Sequence, residues 1–315
     1  MWLVLIFIHQ DWGITVFDAV TSGAISMDMR LLVSKFAGKD EKIRVQRVQF
    51  IPGGSAANIA VGLARLGKSA GCLGKVGDDD FGKKLVSGLE AENVTSFISV
   101  VEERTGTAIV VLTPDGENAI YVLPGANELL SLEDVKPECM DTRIFIQTGV
   151  SGLSFETAKK NLRRAKKLGV VTCFSPSLYL LKRPDVEDML ANTDILIFNR
   201  KEASTISGTN NIEASFDIVS KQGPRIIIVM LGSEGATGWF NGKTFNSPAF
   251  EVKAVDTVGA GDAFVAGFIS AYLDGVDYAT MLKYGCAVAA LKVMREGARP
   301  LYKREDVDRF LRENR

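Results

Sequence analysis

The residue types best suited to chemistry stand together at Asp256–Phe264, DTVGAGDAF. Gly259, Ala260 and Gly261 come just before the apolar-periodic stretch VAGFISAYLDG, which reads as a helix. Small residues at that point leave backbone N–H groups unshielded at the positive end of the helix dipole, an arrangement that binds an anion. Asp262 falls in the first turn of the same helix. A carboxylate there serves either as a helix cap or as a base taking the proton of a hydroxyl that attacks the bound anion. A second string, Pro52–Leu66 (PGGSAANIAVGLARL), places Gly53 and Gly54 where backbone can approach a ligand closely. Asn58 follows at a helix start with both a donor and an acceptor, which suits a polyol. The same string also reads as a Gly-Gly turn into a capped helix.

Several other chemistries are disfavoured. The single histidine, His9, precedes any recognisable domain, so a His-dependent triad is not expected. Cys72, Cys139, Cys173 and Cys286 lie far apart without a CxxC pair and read as small buried hydrophobes rather than zinc ligands or disulfides. With 37 basic against 38 acidic residues, the net charge of −1 offers no field for nucleic acid or anionic membranes. The chain contains no GxxxxGK[ST] string, and no GxGxxG opens an early βα unit, which disfavours P-loop kinases and Rossmann dehydrogenases. Met1–Ile8 (MWLVLIFI) lacks a basic leader and a clear cleavage site and is half the apolar length needed to span a membrane; a cytoplasmic protein is expected.

DTVGAGDAF and the GG…AN string resemble the two signatures of the ribokinase-type, or PfkB-type, carbohydrate kinase family, and the similarity runs from about Phe17 to Arg299. The resemblance implies transfer of the γ-phosphoryl group of ATP, with Mg²⁺, to a hydroxyl of a small sugar. On it, Asp28 (in SGAISMD), Gly53, Gly54 and Asn58 hold the sugar; Asp262 is the base, and the turn Gly259, Ala260 and Gly261 forms the anion hole. Asn199–Glu202 (NRKE) matches an N-x-x-E motif in which Glu202 orders Mg²⁺ through water, and Gly232 and Gly235 in LGSEG match the nucleotide loop. Read physically, Asn199 is also a helix N-cap. Asp256, the Val258 carbonyl and the loop at Gly297 match positions around a K⁺ ion, with Leu301 where ribokinase has Ser. Other positions depart from the pattern. Met230 stands where many relatives have Thr, and Phe174–Ser177 (FSPS) replaces D-P-N. Ser55 and Ala56 replace Lys and Gly, as in fructokinase-like and nucleoside-kinase-like relatives, whereas Gly125, Ala126, Asn127 and Leu129 look ribokinase-like. A nucleoside kinase and a phosphosugar kinase are therefore alternatives, the latter using one of Lys42, Arg44, Arg47 or Arg104. A catalytically silent sugar-binding protein is a more distant one. The family also implies a homodimer.

These residues need a scaffold, and the periodicity supplies one. Apolar stripes at Ile59, Leu63 and Leu66, at Phe81, Leu85 and Leu89, and at Ala158, Leu162, Ala165 and Leu168 before Gly169 read as helices. Val170–Phe174, Asp194–Phe198 and Arg225–Leu231 read as interior parallel strands. The alternation predicts an α/β fold, a doubly wound and mainly parallel sheet with helices on both faces. Lys42–Ile51 and Thr107–Val122, the latter a hairpin turning at Pro114, Asp115 and Gly116, read as β with polar faces. They form either a small β lid or two more strands of the main sheet. The expected division is an extension at 1–14 (an added strand, or an upstream start), a core of 15–33, 52–103 and 123–315, and a lid of 34–51 and 104–122. Ile43, Val45, Ile109 and Val111 are expected to share the face through which two lids pack.

Overall fold

A computed structural model describes residues 16–115, 117–299 and 302–314. The expected extension at 1–14, His9, Gly116 and Leu301 lie outside the described residues. In chain order the first half forms β1 (Phe17–Ser22), β2 (Ser26–Leu32), β3 (Arg47–Gly53), α1 (Ser55–Arg65), β4 (Ala70–Gly77), α2 (Asp80–Ala91), β5 (Val94–Val101), β6 (Thr107–Leu112) and β7 (Asn118–Leu123). After a run of 3₁₀ turns come β8 (Thr142–Thr148), α3 (Ser154–Lys167), β9 (Val171–Ser175), α4 (Leu178–Leu181), α5 (Glu187–Ala191), β10 (Ile195–Asn199), α6 (Arg200–Ser207), α7 (Ile212–Val219) and β11 (Ile226–Met230). The chain closes with β12 (Ala236–Phe240), β13 (Lys243–Ser247), α8 (Ala260–Leu273), α9 (Tyr278–Val293) and α10 (Arg304–Glu313).

The large sheet has nine strands in the order β13-β12-β11-β10-β9-β8-β1-β4-β5. From β11 to β5 neighbours run parallel, and β12 and β13 add antiparallel at one edge. The interior strands β10 and β11 are apolar on both faces because both faces are covered, whereas the edge strand β13 is polar and largely exposed. Ile195 and Ile197 of β10 join the core beneath α8 and α9, while Leu196 and Phe198 join the core that contains Phe155, Leu162 and Phe216. The expected apolar stripes fall on α1, α2 and α3, except that their last residues Leu66 and Leu168 are the C-caps of α1 and α3, Leu66 buried and Leu168 exposed.

A separate four-stranded sheet has the order β3-β2-β6-β7. β6 and β7 form the expected hairpin, and neither pairs with the large sheet. Two expectations are corrected. β2 lies within the segment 15–33 assigned to the core, yet it is an interior strand of the small sheet, so Asp28 is carried by the lid. Residues 42–46 are not strand: β3 begins at Arg47, and Ile43 and Val45 stand off the sheet. Side chains alternate across these strands. One face therefore carries Asp28 and Arg30, and the other carries Val48, Phe50, Met29, Leu31, Ile109, Val111 and Tyr121.

Candidate active site

α8 fixes the central carboxylate. Ten of its fourteen residues are buried, so its first turn has little freedom. Gly259 caps the helix at φ 79°, and a Cβ there would lie 2.4 Å from the Ala298 carbonyl oxygen, so the turn is closed to other residues. The Ala260 amide donates to the Thr257 carbonyl at 3.2 Å and is removed from the expected anion hole. The amides of Gly259, Gly261 and Asp262 have no acceptor among the described residues and remain to receive an anion.

Asp262 Oδ2 accepts a hydrogen bond from Asn58 Nδ2 at 2.8 Å, joining α8 to the start of α1. Burial raises the Asp262 carboxyl above its ordinary value, offset in part by hydrogen bonds from Asn58 and Ser55, while the Asp28 charge adds to the rise. Asn58 is itself buried, and its Oδ1 has no partner among the described residues. A buried amide oxygen left open beside a carboxylate is a receptor for a hydroxyl.

Asp28 reaches the site from β2. Its Oδ1 accepts from the Ser26 hydroxyl at 2.9 Å, and burial raises its carboxyl against the lowering effects of Ser26, Arg30 and Arg299. The carboxylate lies flat on Gly53, where a Cβ would come within 2.4 Å of Oδ2. Gly54, at φ 90°, passes equally close to Ala24. Asp28, Gly53, Gly54, Asn58 and Asp262 are thus brought together where the lid, α1 and α8 meet. Lys42, Arg44, Arg47 and Arg104 are all exposed; the basic residue that the lid points inward is Arg30, two residues from Asp28 on the same face.

The remaining expected residues lie along the C-terminal ends of the parallel strands, the usual ligand edge of such sheets. Asn199 and Glu202 cap α6 reciprocally: the Glu202 amide donates to Asn199 Oδ1 at 2.9 Å, and the Asn199 amide donates to Glu202 Oε2 at 2.8 Å. Burial raises the Glu202 carboxyl. Gly232 opens a 3₁₀ turn after β11, and Gly235, pressed against the Ser247 carbonyl, closes it. Arg200 and Glu234 tie that turn to α6 by an ion pair at 2.8 Å. Met230 ends β11 beside Asn199 and borders Gly261. Among the described residues no group of three His, Cys, Asp or Glu side chains could hold a metal. Glu202 is the carboxylate placed to order the water around a Mg²⁺ ion, were one bound here with phosphates.

The residues expected around K⁺ also converge, but around two protein cations. Arg30 Nη1 lies 2.7 Å from Asp256 Oδ2, and Lys292 Nζ donates to the Asp256 carbonyl at 2.6 Å. Burial pulls the Lys292 ammonium down to about 8, against the opposing pull of Asp256. Sequence reasoning missed both cations. Arg30 was detectable in the alternation of Met27, Asp28, Met29, Arg30 and Leu31, but Lys292 looks like an ordinary helix-ending lysine.

The model of the pfkB family of carbohydrate kinases matches residues 17–304. The ATP-dependent ribose-1-phosphate kinase of Halopiger xanaduensis is 33% identical over 297 residues, which is 93% of this chain and 98% of that one. The crystal structure of ribokinase from Thermotoga maritima superposes with a TM-score of 0.84 at 29% identity, covering 94% of this chain and 99% of that one. Arabidopsis thaliana ribokinase complexed with ribose and ATP superposes with a TM-score of 0.81 at 26% identity, over 94% and 99% of the two chains. Among the described residues no helix is long and apolar enough to cross a membrane.

Proposed function

The chain belongs to the pfkB family of carbohydrate kinases, and we propose that it transfers the γ-phosphoryl group of ATP to a hydroxyl of a small free sugar, with Asp262 as the base. The observation that carries this reading is the Asn58–Asp262 pair, one partner a desolvated carboxylate and the other a buried amide oxygen without a hydrogen bond among the described residues. One sugar hydroxyl donates to Asp262, a neighbouring hydroxyl donates to Asn58 Oδ1, and Asp28 accepts from further hydroxyls. As the hydroxyl oxygen attacks phosphorus, its proton passes to an Asp262 carboxylate oxygen, the bond to the ADP oxygen breaks, and charge gathering on the transferring group meets the amides of Gly261 and Asp262. Positioning and charge neutralisation supply most of the rate in such transfers. Mg²⁺, when bound, offsets phosphate charge; Glu202 would orient its water shell while keeping α6 capped. Asn199, Gly232 and Gly235 frame the nucleotide. The same reading makes the protein a cytoplasmic homodimer joined through the outer face of the lid.

A second reading has its own observation. Arg30 Nη2 is buried without a partner among the described residues on the Asp28 face of the lid, a donor suited to a phosphate already on the acceptor, and the Halopiger relative is named for such an acceptor. An ADP-release assay over free pentoses and hexoses, nucleosides and their sugar 1-phosphates decides. Higher kcat/KM for a free sugar supports the first reading, higher kcat/KM for its phosphate supports the second, and no turnover of any acceptor with ATP and Mg²⁺ overturns both.

A further inference from the structure

The loop that presents the anion hole is held by one carboxylate, and all sides of that carboxylate are engaged. Asp256 Oδ1 accepts from the Val258 amide at 3.0 Å, and Oδ2 accepts from the Gly297 amide at 2.9 Å. Arg30 Nη1 reaches Oδ2 at 2.7 Å. Lys292 Nζ, on a side chain only 1% exposed, lies 3.8 Å from Oδ1 and donates to the main-chain carbonyl of the same residue at 2.6 Å. These groups come from four separated segments: β2 in the lid, the 256–258 loop, the last turn of α9 and the 297 loop. The resemblance places a free monovalent ion among Asp256, Val258 and Gly297.

An ammonium group and K⁺ are alike in charge and close in size, and both bind carbonyl and carboxylate oxygens. A buried ammonium persists only where such oxygens surround it. A third cation added here would share one carboxylate with a guanidinium and an ammonium and would be repelled by both. The residues present therefore do not fit K⁺. We propose that Lys292 Nζ stands in the place of the monovalent ion, so that this chain assembles the 256–262 turn with its own tethered cation and without K⁺. The oxygens that Lys292 Nζ meets belong to Asp256, not to Asp28, Asn58 or Asp262. Lys292 is a positioning residue, acting through Asp256 on the amides of Gly261 and Asp262.

The role in turnover rests on the kinase reading, but the site itself can be tested without substrate. Two readouts serve: the melting temperature in KCl against tetramethylammonium chloride at equal ionic strength, and anomalous diffraction from crystals grown in RbCl. The wild type should melt at one temperature in both salts and show no rubidium peak beside Asp256. Lys292→Ala removes the tethered cation and opens space for a free one. It should melt lower in tetramethylammonium, recover part of the loss in KCl, and bind rubidium beside Asp256. With an accepted substrate, wild-type kcat should be the same in both salts, and the kcat of Lys292→Ala should fall several-fold without K⁺ and recover with it. A rubidium peak at Asp256 in the wild type, or a wild-type melting temperature raised by K⁺, overturns the proposal. So does a Lys292→Met variant, which keeps the apolar stem, matching wild-type melting and kcat in tetramethylammonium. Should Lys292→Ala not fold, the two wild-type measurements decide alone.

Discussion

Asp262 is held where its environment works against its charge, and that has a kinetic consequence. A base works only when deprotonated, and burial lifts this carboxyl above its ordinary value. We expect kcat to fall as pH drops through that raised value, so that the acid limb lies above the ordinary carboxylate range. A pH–kcat profile that stays flat down to the ordinary range would mean that Asp262 is not the base. Asp262→Asn keeps a group able to face Asn58 but cannot accept the proton; kcat should drop by about 10²-fold or more with the fold intact. Near wild-type turnover would reject the mechanism. Gly53→Ala makes a different point, because its methyl group would stand 2.4 Å from Asp28 Oδ2 and displace the carboxylate. That loss is one of acceptor binding, so KM for the acceptor should rise several-fold while kcat changes little. An unchanged KM would show that Asp28 does not hold the acceptor.

At the scale of elements, α6 separates two roles that the sequence superimposes at Asn199 and Glu202. Their reciprocal bonds cap the helix, so Asn199→Ala should cost about 1 kcal/mol in chemical denaturation. Glu202→Gln can still serve in such a box and should leave stability near wild type, yet it weakens any hold on metal-bound water. Its Mg²⁺ requirement should therefore rise; an unchanged Mg²⁺ titration would leave Glu202 as a cap only. The elements themselves were legible in proportion to how simply each is buried. Ile226–Met230 is apolar throughout because both its faces are covered, and α3 shows a clean stripe because one face of it is buried, whereas α1 is buried on all sides from Ala56 to Leu63. β2 was harder. Its buried positions include Asp28 and Arg30, which a hydropathy pattern scores as outward-facing, and only the alternation from Met27 to Leu31 carries the signature of a strand. At the site, the glycine strings and Asp262 were readable because anion binding beside a helix start needs just those residue types. Lys292 was not, since nothing local separates a lysine that closes a helix at the surface from one folded against Asp256.

At the scale of the whole molecule, the lid leaves an apolar surface that the described residues cover only at one edge. Phe50 touches Phe81 of α2 yet stays 51% exposed, and across the same face Val48 is 51% and Tyr121 62% exposed. Met29, Leu31, Ile109 and Val111 fill the space between them, so the patch is continuous across four strands. Isolated apolar residues on a surface need no explanation, but a contiguous apolar face usually marks an interface. Two copies of a twisted four-stranded sheet can bury such faces against each other about a two-fold axis, each Å² of apolar area contributing roughly 25 cal/mol. Since the opposite face of the same sheet carries Asp28, a lid stabilised in this way would also hold the acceptor site in place. Val45 stands off the sheet and is a poor probe of this contact; Tyr121, exposed on the edge strand β7, is a good one. Tyr121→Glu should convert a dimer seen by multi-angle light scattering into a monomer and raise KM for the acceptor, while melting measured at low protein concentration changes little. A wild type that scatters at the mass of a single chain at micromolar concentration, with full activity, would show that the lid works without a second copy.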